Sequence, residues 1–410
     1  MLGHSLHFLT GCLAPRPSRE MREIFMSTAI RSLAVAAVGI FEPVYLYSLG
    51  LSVPVILLFF ALTFLGYLLL LPLGGRVCRR HGYEHTMLFS SPFLIVHYMA
   101  LLAVPISPVF LGMSVVARSI YSTLYWPGFH SNFASSSRDG ELGREVSNSA
   151  AITSVAAALA PAVAAAVIVT LGFKVLFIFA AVLVLLSNVP MLRTPEVFMP
   201  RDFPYLQPFG KLVREFLHPR VLAYFGLAEQ VVAAVVWPVF LAVSLSGVVA
   251  VGAVIALARL VNVLVTLYVG RLSDEERQAA LLRSGAVFTL TSWLVRPLVV
   301  GPLGMFLIDS YYQVSRNMTA VPFSAIMYGH TRHDDIVSAV VLNEMSITVG
   351  RVAICLILAA VFAWSPLNPW YVSFVVAAGF SAFYTLLPAL GRQGTGRSGA
   401  GASVRDPNVI

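Results

Sequence analysis

The feature that most constrains the fold of this chain is a series of long apolar stretches separated by short polar connections. A helix needs about 20 predominantly apolar residues to cross the hydrocarbon core of a bilayer. Twelve stretches have this length and character, at 27–49, 53–74, 86–105, 107–130, 148–170, 173–192, 220–243, 247–269, 281–300, 303–327, 337–363 and 369–391. They predict an all-α polytopic membrane protein with twelve transmembrane helices.

The composition excludes several other classes of protein. Charged residues are 11% of the chain, whereas soluble domains contain about 25%, so the chain cannot cover several soluble domains with polar surface. The three cysteines have no paired spacing, which argues against a disulfide framework and a zinc site. The net charge of +8 comes mostly from arginines in the short connections, a pattern typical of membrane topology and not of nucleic-acid binding.

The arginines also predict the orientation of the chain. One set of connections is almost free of charge, with Lys174 as its sole cation. The alternate connections and both tails are rich in arginine, as in Arg76, Arg79 and Arg80 after the second span. The positive-inside rule places the arginine-rich connections in the cytoplasm. We therefore expect a multi-pass protein of the cytoplasmic membrane, inner or plasma, with both termini in the cytoplasm.

The longest internal connection divides the chain into two halves of six predicted spans. It runs over 193–219, contains several prolines and lies near the middle of the chain. We expect one six-helix bundle at 21–192 and another at 220–391, joined by this cytoplasmic linker. The predicted organisation also has a cytoplasmic extension at 1–20 and a disordered cytoplasmic tail at 392–410.

The two halves show weak internal similarity. Residues 43–46 (Pro-Val-Tyr-Leu) match residues 238–241 (Pro-Val-Phe-Leu) at an offset of 195 residues, and Pro127 and Pro322 keep the same offset. A constant offset between equivalent spans indicates duplication of a six-span unit. Because six spans return the chain to its starting side, the two bundles should be related by a pseudo-two-fold axis along the membrane normal.

The connection after the second span carries a glycine-containing motif. Residues 75–84 read Gly-Arg-Val-Cys-Arg-Arg-His-Gly-Tyr-Glu. This motif resembles the signature Gly-x-Leu-Ala-Asp-Arg-x-Gly-Arg-Lys of the major facilitator superfamily, except that Arg79 stands where the family has Asp. A second copy at 270–274 keeps the acid but loses the downstream glycine.

In that superfamily the motif forms a conformational latch, because its acid pairs with cations on a neighbouring helix end. The resemblance implies a latch role for Gly75, Arg80, Gly82, Gly270 and Asp274. It also implies a secondary transporter that moves a small organic solute by alternating access between two bundles. Small residues around Pro161 in the fifth span resemble an antiporter motif of the family and indicate efflux, although close helix packing explains them equally well.

Nine ionisable residues fall well inside the predicted spans. Each unpaired charge there costs about 2.5–3.5 kcal/mol, so these residues must be paired or face a water-filled cavity. The pairs that match in depth along the spans are Glu42 with Arg118, Glu229 with Arg316, Arg259 with Glu344, and Asp309 with Arg296 or Arg351. The excess of arginine in the second half indicates that an anionic substrate could bind there.

Glu42 and Arg118 are the candidates for proton coupling. In the superfamily, spans 1, 4, 7 and 10 line a central cavity, and an arginine in span 4 often serves proton coupling; the segment from Arg118 to Ser122 is similar to that motif. Glu42 would then carry the proton as conformational change alternates its surroundings. The alternative is a static ion pair that fixes helix register. Candidate substrate-cavity residues, able to stack on or hydrogen-bond an organic solute, are Tyr121, Tyr125, Glu229, Gln230, Tyr312, Arg316 and Asn317.

Three other functions stay open. An uptake symporter for a polar or anionic metabolite would use the same fold. An integral membrane enzyme or a non-transporting receptor belongs to a different class, but the sequence has no nucleophile motif, phosphate loop or metal-spaced His/Glu pair. We predict no enzymatic activity, no cofactor and no metal. The expected partners are a small-molecule substrate, protons and the lipid bilayer, for a monomer that binds no nucleic acid.

Overall fold

The computed structural model describes residues 19–136, 142–192, 201–245, 247–272, 278–333 and 335–386. The secondary structure in these ranges is helical, without strands. The helices of the first half are α1 (Arg19–Ser48), α2 (Val53–His81), α3 (Tyr83–Ala103), α4 (Val109–Ser136) and α5 (Leu142–Leu186). A short helix, α6 (Gln207–Glu215), precedes the second half. The helices of the second half are α7 (Pro219–Ser244), α8 (Val248–Leu272), α9 (Gln278–Val295), α10 (Gly301–His333), α11 (Ile336–Trp364) and α12 (Pro369–Ala382).

Helix α5 contains the fifth and sixth predicted spans. Its backbone is non-helical at Gly172, where φ is 81° and ψ is 170°, so the helix has two arms that meet at this residue. Each of the twelve predicted spans thus coincides with a helix or with one arm of α5. The predicted boundaries of α7 and α11 agree closely with the helix ends, whereas α1 begins at Arg19, ahead of the predicted 27, and α2 ends at His81, beyond the predicted 74.

Within the described residues, seven helical segments are long and apolar enough to cross a membrane on length and composition alone: Met21–Ser48, Val53–His81, Tyr83–Ala103, Ile152–Leu192, Pro219–Ser244, Ile336–Trp364 and Pro369–Leu386. Helices α4 and α10 are long but less apolar, because they carry polar side chains that are buried inside the protein. Ser114 and Asn132 are examples in α4, and Ser315 and Thr319 are examples in α10.

Helix packing follows the pattern that two related bundles predict. In the first half α1 packs on α5, α2 packs on α4, and α3 packs on α4. In the second half α8 and α9 both pack on α10, and α9 packs on α12. The two halves meet through α2 with α11 and through α5 with α8. Helix α2 of the first half is equivalent to α8 of the second half, and the first arm of α5 is equivalent to α11. Exchanging these helices converts one of the two contacts into the other, as a pseudo-two-fold axis requires.

The connection between the halves is partly ordered, a feature that the sequence analysis did not predict. It contains α6, and Phe203 ahead of this helix is buried. Arg76 Nε donates to the Phe203 carbonyl at 3.2 Å, and the Arg201 amide donates to the Arg79 carbonyl at 3.2 Å. The connection therefore packs on the end of α2.

A local irregularity in α7 lies beside the centre of the protein. Residues Val232–Val236 form a π-helix directly before Pro238. Proline cannot donate the backbone hydrogen bond that the preceding turn of an α-helix requires, so the chain widens locally. Single π turns inside helices are frequent at functional sites.

Candidate functional site

A cavity of about 590 Å³ lies between the two halves. Its walls come from α1, α2, α4 and α5 of the first half and from α7, α8, α10 and α11 of the second half. The volume lies in the range of about 300–1,000 Å³ that is typical of small-molecule sites. The cavity is therefore the candidate site of the protein.

The cavity wall combines positive charge with aromatic rings. Its charged residues are Arg31, Arg118, Arg259, Arg316 and Arg351, against Glu42 and Asp309. Its aromatic residues are Phe59, Phe60, Phe64, Tyr67, Tyr121, Tyr125, Trp126, Trp237 and Tyr312. Such a wall favours a solute that has both an anionic group and an apolar ring system.

Glu42 lies in the cavity wall between two basic side chains. Its Oε1 is 3.3 Å from Nε2 of His97, and both side chains are buried. The other ring nitrogen of His97, Nδ1, lies 2.8 Å from Oγ of Ser114, which holds the imidazole in place. Arg118 interacts electrostatically with Glu42 and lies 5.2 Å from the centre of the Tyr121 ring. The structure thus places both predicted proton-coupling residues in the cavity wall, but the close ionic contact of Glu42 is with His97, to which the sequence analysis gave no role.

The predicted substrate residues lie in or directly behind the cavity wall. Those in the wall are Tyr121, Tyr125, Gln230, Tyr312, Arg316 and Asn317. Glu229 is fully buried behind it, where its carboxylate accepts hydrogen bonds from Trp293 Nε1 at 2.8 Å, from the Tyr312 hydroxyl at 3.0 Å and from the Tyr384 hydroxyl at 3.2 Å. Glu229 therefore holds helices of the second half together and interacts electrostatically with Arg316.

Polar and aromatic pairs also fix the orientation of side chains in the wall. The rings of Tyr121 and Tyr125 stack with centroids 5.4 Å apart. Asn317 Nδ2 donates to Oδ1 of Asn262 at 2.6 Å, which joins α10 to α8. The wall is thus preorganised on both halves.

The second half contains a buried ion pair between Arg296 and Asp309, at 3.2 Å. The Arg296 guanidinium lies 4.0 Å from the ring centres of both Trp237 and Trp293. Arg296 was one of the two partners predicted for Asp309. Asp309 therefore lies in the cavity wall, and its partner Arg296 lies behind the wall.

The predicted pairing of Arg259 with Glu344 is wrong. The Glu344 carboxylate accepts from the Tyr67 hydroxyl at 2.8 Å and lies 3.3 Å from Nε2 of His130. Arg259 instead donates to the Ala157 carbonyl at 3.2 Å. Depth along a span does not determine the direction that a side chain takes around the helix axis, and α11 packs on α2 in this fold.

Arg31 is a cavity residue that the sequence analysis omitted. It lies near the start of the predicted span 27–49, where an arginine is expected to reach the membrane interface. In the structure its side chain is buried and bonds to Ser91 and Asn188. A stricter search, counting every ionisable residue inside the span limits, would have found it.

The predicted latch motif lies at the junction of α2 with α11. A Cβ atom on Gly75 would be 2.9 Å from Cγ2 of Val341, so only glycine allows this approach. Gly82 has φ of 87°, which turns the chain from α2 into α3. Arg80 is exposed.

Arg79, at the position where the family has Asp, forms an ion pair with Asp335 just before α11. It also donates to the Asp202 carbonyl at 2.9 Å. In the second copy of the motif, Gly270 lies in the last turn of α8, and Asp274 lies outside the described residues. Among the described residues no group of three His, Cys, Asp or Glu side chains could hold a metal ion.

Comparison with known proteins identifies the family. The sequence matches the profile of the Major Facilitator Superfamily over residues 24–331. The chain belongs to this superfamily. Among solved structures, its fold is similar to the crystal structure of the human organic anion transporter MFSD10 (TETRAN), with a TM-score of 0.67 and 14% sequence identity, over 91% of this chain and 100% of that one. No curated protein sequence matches the chain.

These comparisons confirm the predicted superfamily and fold class. At 14% identity the similarity to MFSD10 shows the fold alone. As a superfamily member, the chain is a multi-pass integral membrane protein of a transporter family, with a central cavity between its halves.

Proposed function

We propose that this superfamily member transports an organic anion by alternating access through the central cavity. The observation that carries the proposal is the excess of arginine over acid in the cavity wall. Uncompensated cations inside a membrane protein are costly, so their retention there favours a role in binding an opposite charge. The description of MFSD10 as an organic anion transporter supports the same substrate class.

The aromatic part of the wall supports an organic substrate over an inorganic one. Tyr121 and Tyr125 of α4 face the cavity together with Trp237 and Tyr312 of the second half. Aromatic faces bind apolar rings by stacking and bury apolar area at about 25 cal/mol per Å². The preferred substrate is therefore an aromatic molecule with an anionic group.

We further propose that transport is coupled to protons through Glu42, with Arg118 as its charge partner. The 3.3 Å contact with His97 gives Glu42 a second basic neighbour within proton-exchange reach. Movement of α1 against α3 and α4 would change this environment and so the proton affinity of the carboxyl group. The competing explanation is a static ion pair that fixes helix register.

We propose efflux as the direction of transport, because the small residues around Pro161 resemble an antiporter motif of the superfamily. The motif residues Ala160 and Ala164 are buried, and a Cβ on Gly252 of α8 would be 2.6 Å from Cβ of Ala165. Close packing of α5 on α8 therefore uses these same residues.

We also propose that the moving units are 21–192 and 220–391, in a monomer of the cytoplasmic membrane with both termini in the cytoplasm.

Reconstitution into proteoliposomes tests the proposal. Labelled aromatic carboxylates and sulfonates are supplied beside their neutral amides and sulfonamides, with an imposed pH gradient and protein-free liposomes as the control. We expect protein-dependent accumulation of the anions and not of the neutral compounds. Accumulation in an acidic lumen indicates antiport and hence efflux, whereas accumulation in an alkaline lumen indicates symport. Preference for the neutral compounds would contradict the substrate class, and insensitivity to pH would contradict only the coupling.

A further inference from the structure

Arg31 of α1 is a buried cation of the cavity wall with unused hydrogen-bond donors. Arg31 is only 2% exposed. Nη2 donates to Oγ of Ser91 at 2.7 Å and to Oδ1 of Asn188 at 2.9 Å. Nε and Nη1 have no hydrogen-bond acceptor among the described residues. Because a guanidinium group has five N–H bonds, three of them lack an acceptor here.

The other cavity arginines differ from Arg31 in having an acidic neighbour. Arg118 interacts with Glu42, and Arg259 interacts with Asp309. Arg31 makes no ion pair with any carboxylate in the described part of the chain; both of its bonded partners are neutral. A buried cation without a partner anion is strongly unfavourable. An external anion bound at Arg31 would therefore supply the opposite charge that its bonded partners do not.

The position of the guanidinium group is fixed from two sides. Ser91 Oγ also donates to Asn188 Oδ1 at 2.9 Å, so the two acceptors of Arg31 hold each other in place. The carbon centre of the guanidinium lies 4.6 Å from the centre of the Tyr125 ring. Tyr125 in turn stacks on Tyr121, which lines the same cavity. The free N–H groups therefore lie beside an aromatic surface.

We propose that Arg31 is the anchor for the carboxylate of an aromatic organic anion, whose ring lies against the aromatic part of the cavity wall. Ser91 and Asn188 are positioning residues, because they orient the guanidinium without needing to touch the substrate. This inference rests on the proposed function and specifies which arginine binds the substrate charge. A guanidinium with free N–H groups binds a carboxylate by parallel hydrogen bonds, which a lysine cannot reproduce.

Binding measurements on the full chain in detergent test the anchor. The probes are 1-naphthoate and its neutral isostere 1-naphthamide, and the readout is the ratio of their dissociation constants. We expect the wild-type protein to prefer the carboxylate by about tenfold, since a hydrogen bond to a charged group is stronger than one to a neutral amide. Arg31→Gln should remove this preference and leave the affinity for 1-naphthamide unchanged. A role in folding alone would not move the ratio.

Two further variants complete the test. Arg214→Gln removes the same charge from an exposed position of α6, outside the cavity, and should keep the wild-type ratio. Arg31→Lys keeps the charge and should give an intermediate ratio, which provides a reading if Arg31→Gln does not fold. A carboxylate preference that survives both Arg31 variants overturns the anchor while leaving the proposed function in place. A wild-type protein without this preference overturns the anion proposal and the anchor together.

Discussion

Two basic side chains flank the Glu42 carboxylate, and they belong to residue types with different acid–base behaviour. Imidazole exchanges protons near neutral pH, whereas guanidinium stays charged. His97 lies 3.3 Å from Glu42, and Arg118 lies in the cavity wall beside it. Glu42 thus has an imidazole within 3.3 Å and a guanidinium in the same cavity wall.

Glu42→Gln should abolish accumulation driven by a pH gradient while leaving substrate counterflow active, because the amide cannot carry a proton. Proteoliposome transport, with and without the gradient, measures both activities. Glu215→Gln in α6 is the matched control, since it removes a carboxylate outside the cavity. Fully coupled transport by the Glu42 variant would identify a static ion pair.

The Arg296–Asp309 pair supports a second prediction at this scale. Asp309→Leu should destabilise the protein by about 3–5 kcal/mol, because it leaves a buried cation unpaired. Adding Arg296→Met should restore most of that loss, since both charges are then removed. Denaturant unfolding in detergent measures the free energies. Equal destabilisation in the single and double variants would show that packing, and not charge pairing, dominates the site.

Individual residues were partly predictable from the sequence. Charges inside apolar spans marked Glu42, Arg118 and Arg316, because their burial needs a reason that the sequence makes visible. Their partners were harder to predict, since rotation around a helix axis and side-chain reach depend on the packing of neighbouring helices. Glu344 therefore bonds to His130 and not to Arg259. The position of Arg31 near a span end concealed its burial.

Helices and their connections define the next scale. The apolar stretches predicted every long helix, because burial in a bilayer imposes a simple requirement on length and hydropathy. The linker was predicted only as a proline-containing connection, and its helix α6 and its buried Phe203 were not predicted. Short helices that depend on tertiary contacts carry no such strong signal.

The junction of α2 with α11 shows a reversed ion pair. Arg79 supplies the cation and Asp335 the acid, where the family motif has its acid after the second span. Because Asp335 is half exposed, the pair should contribute about 0.2–1 kcal/mol, which corresponds to a population change of about 1.4- to 5-fold. The latch function of the motif stays a prediction, and this ion pair is the contact through which Arg79 would take part in it.

Arg79→Asp should reduce the population of the conformation in which α2 and α11 are joined, and the double variant Arg79→Asp with Asp335→Arg should restore it. Distances between spin labels on the two helices measure the populations. Arg80→Asp is the control, because this neighbouring arginine is exposed. Failure of the double variant to restore the distances would argue against the ion pair as the latch.

At the scale of the whole molecule, two symmetry-related contacts join the halves around the cavity. The contact of α2 with α11 depends on Gly75, whose Cα lies close to Val341 and Phe203. The contact of α5 with α8 depends on small residues such as Ala165 and Gly252. At both contacts, small residues allow the two helix backbones to approach closely. A larger side chain at either contact should favour separation of the two helices.

Gly75→Ala should shift the protein toward the conformation that is open between α2 and α11, because the added methyl group would meet Val341 at 2.9 Å. Labelling of a cysteine placed at Ser122, in the cavity wall, by a membrane-impermeant maleimide applied from each side measures the shift. Gly112→Ala is the control, since nothing lies within 4 Å of its Cβ position. Unchanged labelling in the Gly75 variant would show that this contact tolerates extra bulk.

The buried ring of Phe203 ties the segment between the halves to the contact of α2 with α11. The ring lies 3.1 Å from the Cβ position of Gly75, at the place where α2 and α11 separate on opening. Exposing an aromatic side chain to water costs about 1.5–3 kcal/mol, and we expect this cost to oppose separation of α2 from α11. We therefore expect the segment that joins the two halves to favour the conformation in which α2 and α11 are in contact.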